Sequence, residues 1–154
     1  MNNLLFEKNV FTGDLAEYDK VLEFISFFAN INEEDYISYN EDKTFEYTPR
    51  FYEFIESLFR AGLVEDYNKM REFLSNACFD FEESDEYVSW IHEMNKIICR
   101  PELLNKANLS FIRKAFLTLI RLEYRIPGSW GIDIEVCTWL KLLKRLNQIR
   151  PELA

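Results

Sequence analysis

Glycine and proline are scarce in this chain, with only four of each among 154 residues. An all-β sandwich needs many tight turns, and tight turns draw on those two residues, so that architecture is excluded. Gly13, Gly62, Gly128 and Gly131 are scattered or follow helical patterns, which leaves no glycine-rich loop to cradle a phosphate. The run Gly128-Ser129-Trp130-Gly131 also lacks the G-x-S-x-G spacing of a nucleophile elbow and reads as an interhelical turn. Cys78, Cys99 and Cys137 are odd in number, widely spaced and set among apolar neighbours. They form no C-x-x-C pair, so neither a disulfide framework nor a zinc site is expected, and buried free thiols suit a reducing cytoplasm. His92 is the single histidine; with no evident partner it reads as structural, and no catalytic residue is assigned. The acidic run at residues 80–86 lacks the central glycine and terminal glutamate spacing of an EF-hand loop. Neither a metal nor a cofactor is expected.

Long apolar runs are missing as well. The longest falls well short of the ~18 residues that would span a bilayer, so no membrane partner is expected. The opening MNNLLFEKNVF has neither the basic start nor the apolar stretch of a signal peptide. A cytoplasmic protein is the expectation.

What the chain does have is apolar and aromatic bulk. The hydrophobic share is 48%, and 14 Phe, 8 Tyr and 3 Trp supply enough area to offset the ordering entropy of a folded state. A chain of this length folds as about one domain and buries roughly 68–70% of its unfolded surface. The formal charge is −9, unevenly laid out. Residues 1–98 carry 8 Lys/Arg against 22 Asp/Glu, a balance of −14, whereas residues 99–154 carry 10 against 5, a balance of +5. Such asymmetry marks ordinary solvated helix faces, a surface for a partner, or two parts that attract each other. Direct nucleic-acid binding is disfavoured, because the net field repels phosphate.

Helical spacing dominates the order of the chain. Asp14 caps a stripe of Leu15, Tyr18, Val21, Leu22, Ile25 and Phe28. Residues 30–47 are polar, acidic and aromatic without a clean period, and predict a long connection with a short extended piece at 45–47. Thr48-Pro49 opens the next helix, whose stripe of Phe51, Ile55, Leu58 and Phe59 stops at Ala61-Gly62. Asp66 predicts a short helix with Tyr67, Met70, Phe73 and Leu74 on one face. Another follows the acidic run, with Tyr87, Val88, Ile91, Met94 and Ile98 inward. Pro101 opens a short turn, and Asn108 caps the clearest helix, at 109–125, which Pro127-Gly128 ends. A last helix over 132–149 places Val136, Trp139, Leu140, Leu143 and Leu146 inward and Lys141, Lys144 and Arg145 outward. Together these predict an all-α fold: one helical domain over residues 1–154, a bundle of six to seven helices with a C-terminal antiparallel pair.

Two groups of residues stand out as candidates. At the corner before Gly128, Arg121, Glu123 and Arg125 offer donors and a carboxylate where helix carbonyls lose their partners, with Trp130 beside them. They form a structural clamp, or anchor a ligand or partner. In the acidic connection, Asp35, Tyr36, Tyr39, Glu41, Asp42 and Glu46, with Phe45 and Tyr47, combine aromatic anchors with steering charge. That combination fits a protein partner that is itself basic or binds nucleic acid, with mimicry of nucleic acid as a sharper case. A non-enzymatic interaction module is therefore the leading expectation. A small-molecule sensor or enzyme, with a pocket at the Arg121–Glu123–Arg125 corner, is the alternative.

The C-terminal third also carries a family pattern: RPELLNKANL at residues 100–109, IRKAFLTLIR at 112–121, RLEYRIPG at 121–128 and LLKRLN at 142–147. In order and spacing these segments resemble an uncharacterised bacterial family, a domain of unknown function with D-P-E-L-L, A-D-L, L-R-K-L-L-T, R-x-E-R-F-x-x-G and L-x-R-L-K. The aromatic helix FYEFIESLFRAGLV at residues 51–64 is similar to the family's preceding helix, giving a family-like core of about residues 48–149. Arg100 stands in place of the capping Asp, and Tyr124-Arg125 replaces Arg-Phe, while Arg121, Glu123 and Gly128 keep their places. The resemblance implies a helical bacterial cytoplasmic protein and no particular activity.

Overall fold

The structure, a computed structural model, describes residues 9–42, 44–65 and 85–153. The helix expected at Tyr67–Leu74, Cys78 and most of the acidic run at 80–86 lie outside the described residues. The described elements are helices α1 (Leu15–Leu22), α2 (Phe24–Ala29) and α3 (Glu33–Tyr36), strands β1 (Ile37–Tyr39) and β2 (Phe45–Tyr47), then α4 (Pro49–Arg60), α5 (Asp85–Cys99), α6 (Pro101–Leu104), α7 (Leu109–Arg125), α8 (Ser129–Glu135) and α9 (Thr138–Ile149), closed by a 3-10 turn at Arg150–Leu153. The fold is helical, as expected, with one two-stranded hairpin added.

Of the caps read from sequence, the three at described residues are made, and the one at Asp66 lies outside them. Asp14 accepts from the Ala16 and Glu17 amides, Thr48 from Phe51 and Asn108 from Phe111. The first stripe is divided at Glu23 into α1 and α2, yet both halves turn Tyr18, Val21, Phe24 and Phe28 into the core. In α4 the buried face is Phe51, Phe54, Ile55 and Leu58, while Phe59, expected inward, is 43% exposed. Gly62 stops this helix with φ 78°, a left-handed conformation that a side chain would strain.

The acidic connection is more ordered than its composition predicts. Asn32 and Asp35 form a reciprocal capping box on α3. The extended piece at 45–47 is β2, paired antiparallel to β1 in the register Ile37↔Tyr47, Ser38↔Glu46, Tyr39↔Phe45. The Thr48 hydroxyl donates to the Asp35 carbonyl at 2.7 Å and its amide to the Tyr36 carbonyl at 2.9 Å, which pins the hairpin to the start of α4.

Helix α5 presents a rotated face: Trp90, Met94, Ile97 and Ile98 are buried, whereas Val88 is 58% exposed. Trp90 decides the rotation, since its indole donates to Thr118 on α7 at 2.9 Å and its ring meets Phe111 edge-on. Helices α7 and α9 form the expected antiparallel pair. Trp139, early in α9, stacks on Phe116 in mid-α7, and Arg145, late in α9, donates to the Ala107 carbonyl just before α7 begins. That bond turns Arg145 partly inward. The last helix itself is not continuous over 132–149. It breaks at Cys137, whose φ of 64° is left-handed, and Val136 is 56% exposed instead of inward. The break lets α8 and α9 bury different faces, tied by the Trp139 indole donating to the Trp130 carbonyl at 3.1 Å. It also exposes the Cys137 thiol. Cys99, at the last position of α5, is exposed too, so neither is the buried thiol that its neighbours predict. One hydrophobic cluster joins all of these helices, from Tyr18 to Ile149.

Candidate functional site

The corner between α7 and α8 is closed by a carboxylate. Glu123 Oε2 accepts from the Gly128 amide at 2.8 Å, and Oε1 accepts from the Trp130 amide at 3.0 Å, the Tyr47 hydroxyl at 2.8 Å and the Ser129 hydroxyl at 3.5 Å. The Tyr47 hydroxyl accepts in turn from the Gly131 amide at 3.3 Å. Glu123 thus gives acceptors to the Gly128 and Trp130 amides at the start of α8, where helix amides lack intrahelical partners, while the Gly131 amide is shared between the Tyr47 hydroxyl and the Gly128 carbonyl at 3.1 Å. Burial, reinforced by the hydrogen bond to and charge of Glu123, holds the Tyr47 phenol well above its ordinary pKa; the Gly131 amide works the other way. Gly128, at φ 95°, makes the turn that brings these amides round.

Of the residues expected at this corner, the structure brings Glu123 and Trp130 together. Trp130 is 8% exposed; its indole donates to the Leu119 carbonyl, and its ring packs on Tyr47, Phe51 and Tyr52. Arg121 is half-buried and Arg125 exposed.

The acidic surface is only partly as expected. Tyr39 is 64% exposed and donates to Glu33 at 3.2 Å. Glu41, Asp42 and Glu46 are exposed, and the Thr44 hydroxyl and amide hold the Asp42 carboxyl below its usual range. Asp35 is half-buried and Tyr36 is buried. The Asp35 carboxylate is engaged by the Asn32 amide at 2.8 Å, and Tyr36 is buried beside Gly131, where an added Cβ would lie 3.4 Å from the ring. Tyr47 is buried as well. Tyr47 at the end of β2 and Tyr36 at the end of α3 both reach Gly131 in α8: the Tyr47 hydroxyl accepts from its amide, and the Tyr36 ring lies beside its Cα.

Between the hairpin and the corner lies a groove of about 360 Å3 lined by Phe45, Glu46, Tyr47, Tyr52, Glu123 and Trp130. Neither Arg121 nor Arg125 lines it. Tyr52, 43% exposed on α4, was not singled out by the sequence, because it neighbours the apolar stripe without belonging to it. A second hollow, of about 440 Å3, runs from residues 28–33 and Tyr36 to Ile134, Glu135 and Cys137. His92 is exposed on α5. Among the described residues no His, Cys, Asp and Glu group is arranged to hold a metal ion, and no helix is long and apolar enough to cross a membrane. Compared with known proteins, the chain matches no family model, no curated protein and no solved structure.

Proposed function

We propose that the protein is a non-enzymatic interaction module that engages a basic partner through its acidic hairpin. The supporting observation is the set of exposed aromatics, Tyr39, Phe45 and Tyr52, interspersed with the exposed carboxylates Glu33, Glu34, Glu41, Asp42 and Glu46. Aromatic rings supply anchoring area at low entropic cost, and surplus charge of one sign steers an oppositely charged partner. A bacterial cytoplasmic setting belongs to the same proposal and rests on the pattern at residues 100–147.

A small-molecule sensor is less well supported. The arginines that would hold a carboxylate or phosphate lie outside the groove, whose lining carries carboxylates instead. Affinity capture tests the proposal. The triple variant Glu41→Lys, Asp42→Lys, Glu46→Lys is expected to lose partners that the native protein retains at low salt. Partners held equally by both forms would overturn it.

A further inference from the structure

We infer that the groove between the hairpin, α4 and the Trp130 corner receives one arginine side chain of the partner, its guanidinium against the Phe45 and Tyr52 rings and paired with Glu46. The inference rests on the interaction reading above and names the chemistry that the surface selects.

The groove is walled by aromatic rings set at steep angles. Ring centroids are 5.6 Å apart for Phe45 and Tyr47, 6.3 Å for Tyr47 and Tyr52, and 6.3 Å for Tyr52 and Trp130. Tyr47 and Trp130 form the buried floor, while Phe45 and Tyr52 stand 38% and 43% exposed at the sides. A volume of about 360 Å3 lies near the lower end of ligand pockets, which run roughly 300–1,000 Å3. It suits a single side chain better than a whole cofactor.

Charge selects a cation. Among the described residues the lining holds two carboxylates, Glu46 and Glu123, and no lysine or arginine. Partial burial raises the pKa of the Tyr52 hydroxyl, and both carboxylates raise it further, so their negative potential reaches the rings. An anion would be repelled. The two carboxylates differ in what they offer. Glu123 is fixed by the Tyr47, Gly128 and Trp130 donors and acts as an immobile negative charge at the floor. Glu46 stands exposed on β2 and can meet a planar fork of donors from solvent. A guanidinium also lies flat on an aromatic face and is less strongly hydrated than an ammonium, which favours arginine over lysine. The chain already makes this type of contact internally: the Arg50 guanidinium lies 4.4 Å from the Phe24 ring centroid, and the Lys114 ammonium 4.2 Å from that of Trp90.

The test is a fluorescence-anisotropy titration of the full chain with a labelled Arg-Gly-Ser repeat peptide, beside matched peptides carrying lysine or neutral citrulline. The arginine peptide is expected to bind and to shift the Trp130 indole N–H resonance, with citrulline about tenfold weaker or worse. Tyr52→Leu should weaken arginine-peptide binding by about tenfold while Tyr52→Phe, which keeps the ring, retains it. Tyr52 is exposed, so both variants are expected to fold; matching circular dichroism and melting curves check this. Binding untouched by Tyr52→Leu but abolished by Glu41→Lys with Asp42→Lys would overturn the groove and leave the acidic-surface reading standing. No binding of the arginine peptide at low salt would overturn both.

Discussion

Removing the Glu123 carboxylate should loosen the corner on which the hairpin and α8 both depend. Glu123→Ala takes away an acceptor shared by three donors within 3.0 Å, the Tyr47 hydroxyl and the Gly128 and Trp130 amides. A hydrogen bond to a charged group contributes about 1.5–3 kcal/mol, and a buried donor left unsatisfied costs about 1–3 kcal/mol. Loss of an ordinary helix cap costs about 1 kcal/mol. These terms overlap, and Glu123 is only half-buried, so the expected loss is about 2–4 kcal/mol rather than their sum. In a chain of this size that lowers Tm by roughly 5–12 °C. Glu123→Gln keeps the shape and one acceptor, and should lose about 1–2 kcal/mol. Urea melts of Tyr47→Phe, Glu123→Gln and the double variant should give a coupling energy of at least about 1 kcal/mol. The arginines provide the comparison: exposed Arg125→Ala should cost under about 1 kcal/mol, and half-buried Arg121→Ala more. A Glu123→Ala loss below about 0.5 kcal/mol, the range of a solvated surface residue, would refute the carboxylate clamp.

Two further predictions concern the segment that follows. Burial lifts the Asp133 carboxyl to about 6, with the Thr138 hydroxyl pulling the other way. Because the folded value is raised, its protonated form contributes stability that is present below about pH 4 and lost as the pH rises through 6. Asp133→Asn should therefore melt close to the native protein at pH 4 and above it at pH 7, by about 1 kcal/mol after discounting for partial exposure. Equal urea midpoints at both pH values would count against this. Cys137 holds a left-handed φ of 64°, a conformation that costs a non-glycine residue about 1–2 kcal/mol. Cys137→Gly should stabilise the protein by about 0.5–1 kcal/mol, the relief of strain less the added unfolded-state freedom. The same variant should remove one thiol that reacts with Ellman's reagent under native conditions, and an unchanged thiol count would show that Cys137 is not accessible.

The features legible in the sequence are those decided within a turn or two of chain. Asp14, Thr48-Pro49 and Asn108 cap helices because an N-cap oxygen reaches amides only two or three residues ahead. The stripes of α4 and α7 are likewise read from spacing, since each helix must bury its apolar face. Glu123 and Trp130 could be picked out for the same reason, as polar and aromatic residues at a helix end. Their partners could not. Tyr47 and Glu123 are 76 residues apart in sequence, and only the docking of the hairpin onto α8 brings the tyrosine hydroxyl to that carboxylate. The break at Cys137 was equally hidden, because α8 and α9 both carry apolar residues at helical spacing. The offset between their faces is set by what Trp130 and Trp139 pack against. The register puts Tyr39 and Tyr47 on the same face of the hairpin, so the burial of Tyr47 against the 64% exposure of Tyr39 is set by what each meets: Tyr47 packs on Phe51 and Trp130 and donates to Glu123. Local capping and periodicity thus determined the helices and most of their ends. Long-range packing decided which aromatics and which carboxylates face solvent, because burial depends on the surface that an element meets as well as on its own pattern.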